Sequence, residues 1–226
     1  MPIDMPPNGK STKCQIGADG IIAFPQHVVD HLGWQIEEPI VVSYLLDGSL
    51  LILLFRRAEP GACGFKLAFK NRTVEGGSGG KLRCRKLIKQ IVSPLIPLTR
   101  RDIDPIFLDM DKKSGHKPYE MAFLLQIPGW TEVEFNANGV ADLPQRLLGV
   151  YQIVNGNPDK PVRIGQGIVQ ARLKEHVKEN DFRAGSHLAY FPVAKKKDAE
   201  LVEHILLMQY KQENGGQLPP GNRITA

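Results

Sequence analysis

The run Leu147-Leu148-Gly149-Val150-Tyr151-Gln152-Ile153-Val154 leaves the chain little choice of local structure. It is apolar throughout, rich in β-branched and aromatic residues, and closed by Asn155-Gly156-Asn157, so it reads as a buried strand entering a turn. Residues 162–165 read as the returning strand. Eleven residues separate Gly149-Val150-Tyr151 from Arg163-Ile164-Gly165, the spacing of a tight hairpin. Residues 168–178 then show helical spacing, with Arg172 and His176 one turn apart on one face. Residues 188–193 read as a third strand, and residues 197–211 as a helix with Leu201, Ile205 and Met208 inward. A loop leads on to Gly221-Asn222-Arg223. The expectation is a three-stranded antiparallel sheet flanked by helices.

Taken in order, Gly149-Val150-Tyr151, Ile164-Gly165, Arg172, His176, Glu203 and Asn222 form a constellation that resembles the GIY-YIG nuclease domain across residues 145–226. The resemblance implies an endonuclease that hydrolyses DNA phosphodiester bonds with one divalent metal, Mg²⁺ or Mn²⁺, and no organic cofactor. Such a reaction needs an activated water, charge neutralised on the phosphate oxygens, and a stabilised leaving oxygen. By the resemblance, Tyr151 is the base or orienting group for the water. Arg172 presents its planar fork to the phosphate. Glu203 is the metal ligand, His176 hydrogen-bonds the water or the phosphate, and Asn222 braces the site. Glu203 is preferred to Glu200 because Glu203-His204-Ile205-Leu206-Leu207 follows the family's Glu-x-x-Leu-Ile pattern.

Two departures stand out. The interval before Asn222 is enlarged by Gly215-Gly216-Gln217-Leu218-Pro219-Pro220. The tyrosine of the family's second triplet is replaced by Arg163. A cation beside Tyr151 favours the phenolate and lowers its pKa. Arg163 therefore either primes Tyr151 or marks a domain that binds DNA without cutting it.

Residues 13–57 have a separate pattern. Residues 14–25 read as strand, Asp19-Gly20 turn, strand. Pro25 ends that strand, and Val28, Val29 and Leu32 follow at helical spacing until Gly33 closes the helix. Residues 41–45 and 50–56 form a second hairpin about Leu46-Asp47-Gly48-Ser49. This order resembles the AbrB/SpoVT swapped-hairpin DNA-binding fold, which implies a homodimer with a basic face toward DNA. The first hairpin has few basic residues, so the charge must come from Arg56, Arg57 and the segment beyond.

That segment is the most basic part of a chain whose formal net charge is +5. Residues 64–101 hold ten Lys/Arg and one acid, Glu75, a net +9. A local excess of this size binds a polyanion by releasing its counterions. Lys81, Arg83, Arg85, Lys86 and Lys89 are the expected DNA contacts in residues 81–92, which read as either a basic helix or a half-buried strand. Lys195, Lys196 and Lys197 add a second cluster for the phosphate backbone. Gly76-Gly77-Ser78-Gly79-Gly80 lacks phosphate-loop spacing and reads as a flexible loop. The acidic clusters at 101–104 and 109–111 read as solvated turns, and Gly129-Trp130-Thr131-Glu132-Val133-Glu134-Phe135 alternates like a strand.

The fold class expected is α+β: a β-rich, swapped-hairpin-like DNA-binding region followed by a small GIY-YIG domain. The division is a disordered tail at 1–12, a DNA-binding region at 13–101, a connecting region at 102–144, and the nuclease domain at 145–226. The start lacks a signal-peptide core, and the longest apolar run, residues 50–55, is too short for a bilayer. Three cysteines without CxxC spacing argue against a zinc site or disulfide framework, so a cytoplasmic location without membrane association is expected. Restriction, defence or mobile-element roles fit a site-directed endonuclease. The alternative is an AbrB-like transcriptional regulator with an inactive nuclease domain.

Overall fold

The computed structural model describes residues 13–35, 37–48, 50–59, 64–69, 79–92, 94–96, 100–108, 119–127, 129–155, 160–179 and 186–222. The tail expected at 1–12, most of the glycine-rich loop, the acidic cluster at 109–111 and the tip of the Asn-Gly-Asn turn lie outside these residues. The protein is α+β, and its strands pair antiparallel throughout. It divides into two compact units, residues 3–127 and residues 128–226.

The first unit begins with β1 (Cys14–Gly17) and β2 (Ile21–Ala23), joined through Gly20 at φ +80°. α1 (Gln26–Leu32) starts behind Pro25, whose φ of −59° is already helical. Gly33 ends α1 in the left-handed conformation, donating its N–H to the Asp30 carbonyl. β3 (Pro39–Asp47) and β4 (Leu50–Arg57) form the second hairpin in unbroken register, Val41 opposite Arg56 and Asp47 opposite Leu50. Then come β5 (Phe65–Phe69), β6 (Gly80–Arg83), α2 (Arg85–Leu87) continuing as a π turn through Val92, β7 (Arg100–Ile103), β8 (Ile106–Phe107) and β9 (Met121–Gln126). Residues 81–92, open to two readings, are therefore a strand end followed by a short helix.

These strands form one sheet in the order β7-β1-β2-β6-β5-β3-β4-β9-β8. Both outer edges of the first hairpin are filled from the same chain: β1 pairs with β7 and β2 with β6. Alternation explains the all-apolar run of β4. Leu51, Leu53 and Phe55 enter a core with Phe24, Trp34 and Phe123, while Leu50, Ile52 and Leu54 are buried on the opposite face. Cys14 and Cys84 belong to that same core, and burial pushes the Cys84 thiol up to about 12.

Among the described residues of this unit one carboxylate is buried. Glu120 accepts from Trp34 Nε1 at 2.7 Å and from Arg57 Nε at 2.8 Å. Arg57 Nη2 also donates to the Leu32 carbonyl at 2.8 Å, tying β4 to the end of α1. Arg57, expected on the DNA-facing surface, thus has a structural engagement that the sequence did not reveal.

The second unit holds a four-stranded sheet, β10-β13-β11-β12, where three strands were expected. β10 (Thr131–Glu134) is the addition and pairs with β13 (Ser186–Pro192) along Thr131–Tyr190 to Glu134–His187. β11 (Leu148–Asn155) is central, and β12 (Pro161–Ile168) is an edge strand. α3 (Ala137–Ala141) is capped by Asn136, whose side chain accepts from Gly139 N. α4 (Val169–Glu179) and α3 pack against Tyr151, Ile153 and Leu188. By alternation Val150, Ile164 and Phe191 face the other way, and α5 (Lys196–Glu213) packs against β11 and β12 there. α5 buries Ala199, Val202, Ile205 and Met208. Leu201, expected inward, is only half-buried, because the stripe runs through Val202 instead.

Candidate active site

Gly149 opposes Gly167 and Tyr151 opposes Gly165 in the β11–β12 register. The two glycines of the triplets have separate steric causes. A Cβ on Gly149 would meet the Phe191 carbonyl oxygen at 2.4 Å, so β13 can approach only a glycine there. A Cβ on Gly165 would lie 2.5 Å from Tyr151 Cζ and Oη, so the phenol ring lies across the neighbouring strand in space only a glycine leaves.

The Tyr151 ring is 3% exposed, and its hydroxyl is 3.0 Å from His176 Nε2, with His176 also buried. Tyr151 comes from the central strand and His176 from α4. Arg172 lies one turn before His176, and its Nη1 meets Glu175 Oε2 at 3.1 Å. Glu203 projects from α5, while Glu200 pairs with Lys196 at 3.7 Å.

Asn222 reaches β12 from a 3₁₀ turn (Pro220–Asn222). Its Oδ1 accepts from Ile164 N at 2.8 Å and its Nδ2 donates to Ile164 O at 2.6 Å. The side-chain amide imitates a neighbouring strand and holds the edge at the residue between Arg163 and Gly165. The packing is close: a Cβ on Gly221 would sit 3.0 Å from the Val162 carbonyl oxygen.

These elements enclose a polar cleft of about 300 Å³ lined by Tyr151, Arg163, Ile164, Gly165, Gln166, Arg172, Glu175, His176, Glu203 and Asn222. All six residues singled out for chemistry therefore line one cleft. Glu175 and Gln166 line it too and were missed. Glu175 reads in sequence as an ordinary exposed helix residue, although its position three residues after Arg172 was a usable signal.

Electrostatics correct one expectation. Burial pushes the Tyr151 phenol up to about 12, Arg163 and Arg172 pull it down, and Glu203 adds to the rise. A hydrogen bond from Arg163 also favours the phenolate. The expected lowering by Arg163 is present but loses to desolvation. The same contest sets Glu203, which burial raises to about 7 against the pull of Arg163 and Arg172.

Among the described residues no three His, Cys, Asp or Glu side chains are grouped to hold a metal. The cleft has one carboxylate, Glu203, besides the Glu175 that holds Arg172. A single hard-oxygen donor beside open polar space fits a Mg²⁺-like ion, which keeps most of its waters.

The expected DNA contacts are distributed elsewhere. Arg83, Arg85, Lys86 and Lys89 are exposed along β6 and the helix after it, with Lys81 half-buried. Arg56 is mostly buried and donates to the Arg57 carbonyl. Lys195 precedes α5, and Lys196 and Lys197 open it, all three exposed. No helix of the described residues is long and apolar enough to cross a membrane.

Comparison with protein-family models, with curated proteins and with solved structures finds no match.

Proposed function

We propose that the 128–226 unit is a phosphodiester hydrolase of GIY-YIG type, acting on DNA that the basic surface of the 3–127 unit helps to hold. The observation that carries this is the Tyr151–His176 hydrogen bond at 3.0 Å within a cleft shared with Arg172 and Glu203. A buried phenol against an imidazole, beside a guanidinium and a carboxylate, is a poor way to stabilise a fold. It is a good way to move a proton next to a phosphate.

A water attacks phosphorus and gives its proton to Tyr151 Oη, as the bond from phosphorus to the leaving oxygen breaks and that oxygen departs on the cut strand. The phenol passes its own proton to His176 Nε2, which accepts it in the Nδ1–H tautomer. The relay never requires a free tyrosinate, which suits a phenol raised to about 12. Arg172 donates charge-assisted hydrogen bonds to the non-bridging oxygens as their charge grows. Glu203 would hold the Mg²⁺ or Mn²⁺ ion. When bound, such an ion supplies Lewis-acid stabilisation of the phosphate and leaving oxygens. Arg163 favours the ionised forms of both Tyr151 and Glu203. Asn222 fixes the strand that carries it.

The exposed cations Arg83, Arg85, Lys86 and Lys89 are the proposed phosphate-backbone contacts, joined by Lys195–197. A homodimer follows from the swapped-hairpin resemblance, and a strict monomer in light scattering counts against it. The second reading, a DNA-binding regulator that does not cut, rests on Arg163 standing where the family has tyrosine.

Incubation of plasmid and short duplexes with Mg²⁺ or Mn²⁺ separates the two. Wild type should cleave and Glu203→Ala should not. Cleavage by both proteins, or by neither across metals and sequences, rules out the hydrolase.

A further inference from the structure

The cleft contains a second carboxylate for which the proposed reaction has no use. Glu175 sits on α4 three residues after Arg172, and its Oε2 takes Arg172 Nη1 at 3.1 Å. Both side chains line the cleft and are more than half exposed, at 55% and 57%. Arg172 is the residue proposed to grip the phosphate, so this contact occupies the fork that the substrate must use.

We propose that Glu175 is a latch: its carboxylate parks the Arg172 guanidinium in the free protein, and an entering phosphodiester takes its place. The inference rests on the phosphodiester reading of the cleft. Three physical points support it. An arginine tied at one end of its fork loses rotamer freedom before substrate arrives and is held on the cleft wall. An exposed ion pair is weak enough to exchange partners rather than block them. A carboxylate left beside a bound phosphate also opposes it, so the latch weakens substrate and product binding alike. Glu175 therefore acts through Arg172 as a positioning residue and not as a catalytic one.

A plain surface ion pair on a helix makes different predictions, and these can be measured. Full-length protein is titrated into a labelled duplex without divalent metal, using wild type, Glu175→Gln, Arg172→Ala and the double variant. The latch requires Glu175→Gln to tighten binding about two- to five-fold when Arg172 is present. In the Arg172→Ala background the gain should shrink, leaving only the lost charge repulsion. In cleavage assays Glu175→Gln should lower KM while kcat holds or falls, and Glu175→Asp should restore the wild-type KM.

Equal tightening in both backgrounds, or none in either, overturns the latch. Wild type that fails to bind the duplex, or an Arg172→Ala variant that binds as well as wild type, overturns the phosphodiester reading itself. The two failures are thus distinguishable.

Discussion

Gly165 lies directly across the β11–β12 ladder from Tyr151, and a Cβ placed on it would come within 2.5 Å of the phenol oxygen. The pair is a steric lock: the ring keeps its position only because the opposite residue has no side chain. Gly165 is not at a positive φ, so substitution there acts through the ring and not through backbone strain. Gly165→Ala should therefore move Tyr151 by a fraction of an ångström to an ångström. Overpacking of this kind costs about 1–3 kcal/mol in stability. Misplacing the hydroxyl should cost on the order of 100-fold in cleavage. Thermal melting and single-turnover cleavage check both values; a variant with a lowered melting point and unchanged cleavage would show that the ring position does not matter.

Tyr151→Phe separates the hydroxyl from the ring. The ring packing with Ile153, Leu173 and Leu188 is kept, and the partners lost are His176 Nε2 and Arg163. Stability should fall by about 1–3 kcal/mol, because the buried His176 Nε2 loses this partner. Cleavage should fall by roughly 10²- to 10⁴-fold if the phenol transfers the proton. DNA affinity measured without metal should stay within a factor of about two, since no charge is removed.

Acidity in the cleft gives a prediction with a definite sign. Glu203 has a folded-state value of about 7 against an ordinary 4.5. Its contribution to stability is fully present below about 4.5 and is lost as pH rises through about 7. Glu203→Gln should then leave stability nearly unchanged at about pH 4 and raise it above about pH 8, on the order of 2 kcal/mol for a partly exposed group. Protons compete with a cation for the same oxygens, so Mn²⁺ affinity of the wild type should climb across the same interval. Arg163→Ala removes the largest opposing influence and should shift that climb to higher pH. Denaturation curves at the two pH values and Mn²⁺ titration would test each step.

The second unit was legible where local rules governed it. The Tyr151 strand, α4 and α5 follow from a continuous apolar run and from helical spacing. What local rules miss is pairing at a distance. β10 was seen as an alternating segment, but nothing within residues 131–134 says that it joins a strand more than fifty residues later. In the first unit the β1–β7 pairing joins Ile16 to Arg101, and the intervening chain contains no signal for it. Charge was legible as a sum but not as a set of partners. Arg57 reads as a DNA contact, and the fold supplies it with Glu120, 63 residues away in sequence.

Arg57 makes the last prediction, because two roles compete for it. As a DNA contact, its removal should weaken binding and reduce the salt slope by about one, with little effect on folding. As the partner of Glu120, its removal leaves a carboxylate that is 8% exposed without its cation. The Trp34 Nε1 donor, at 2.7 Å, is a neutral substitute and cannot balance the charge. Breaking a buried pair from one side costs about 3–5 kcal/mol, and the exposed half of Arg57 places this case at the lower end. Arg57→Ala should therefore destabilise the 3–127 unit by about 2–3 kcal/mol. Glu120→Gln, which keeps an acceptor for Trp34, should cost less. Trp34 is 3% exposed in the same core, so its fluorescence reports that unit's unfolding. If Arg57→Ala melts like wild type while its DNA affinity drops, the guanidinium serves the ligand and the Glu120 contact is incidental; a lowered melting point with unchanged salt slope assigns it to the fold.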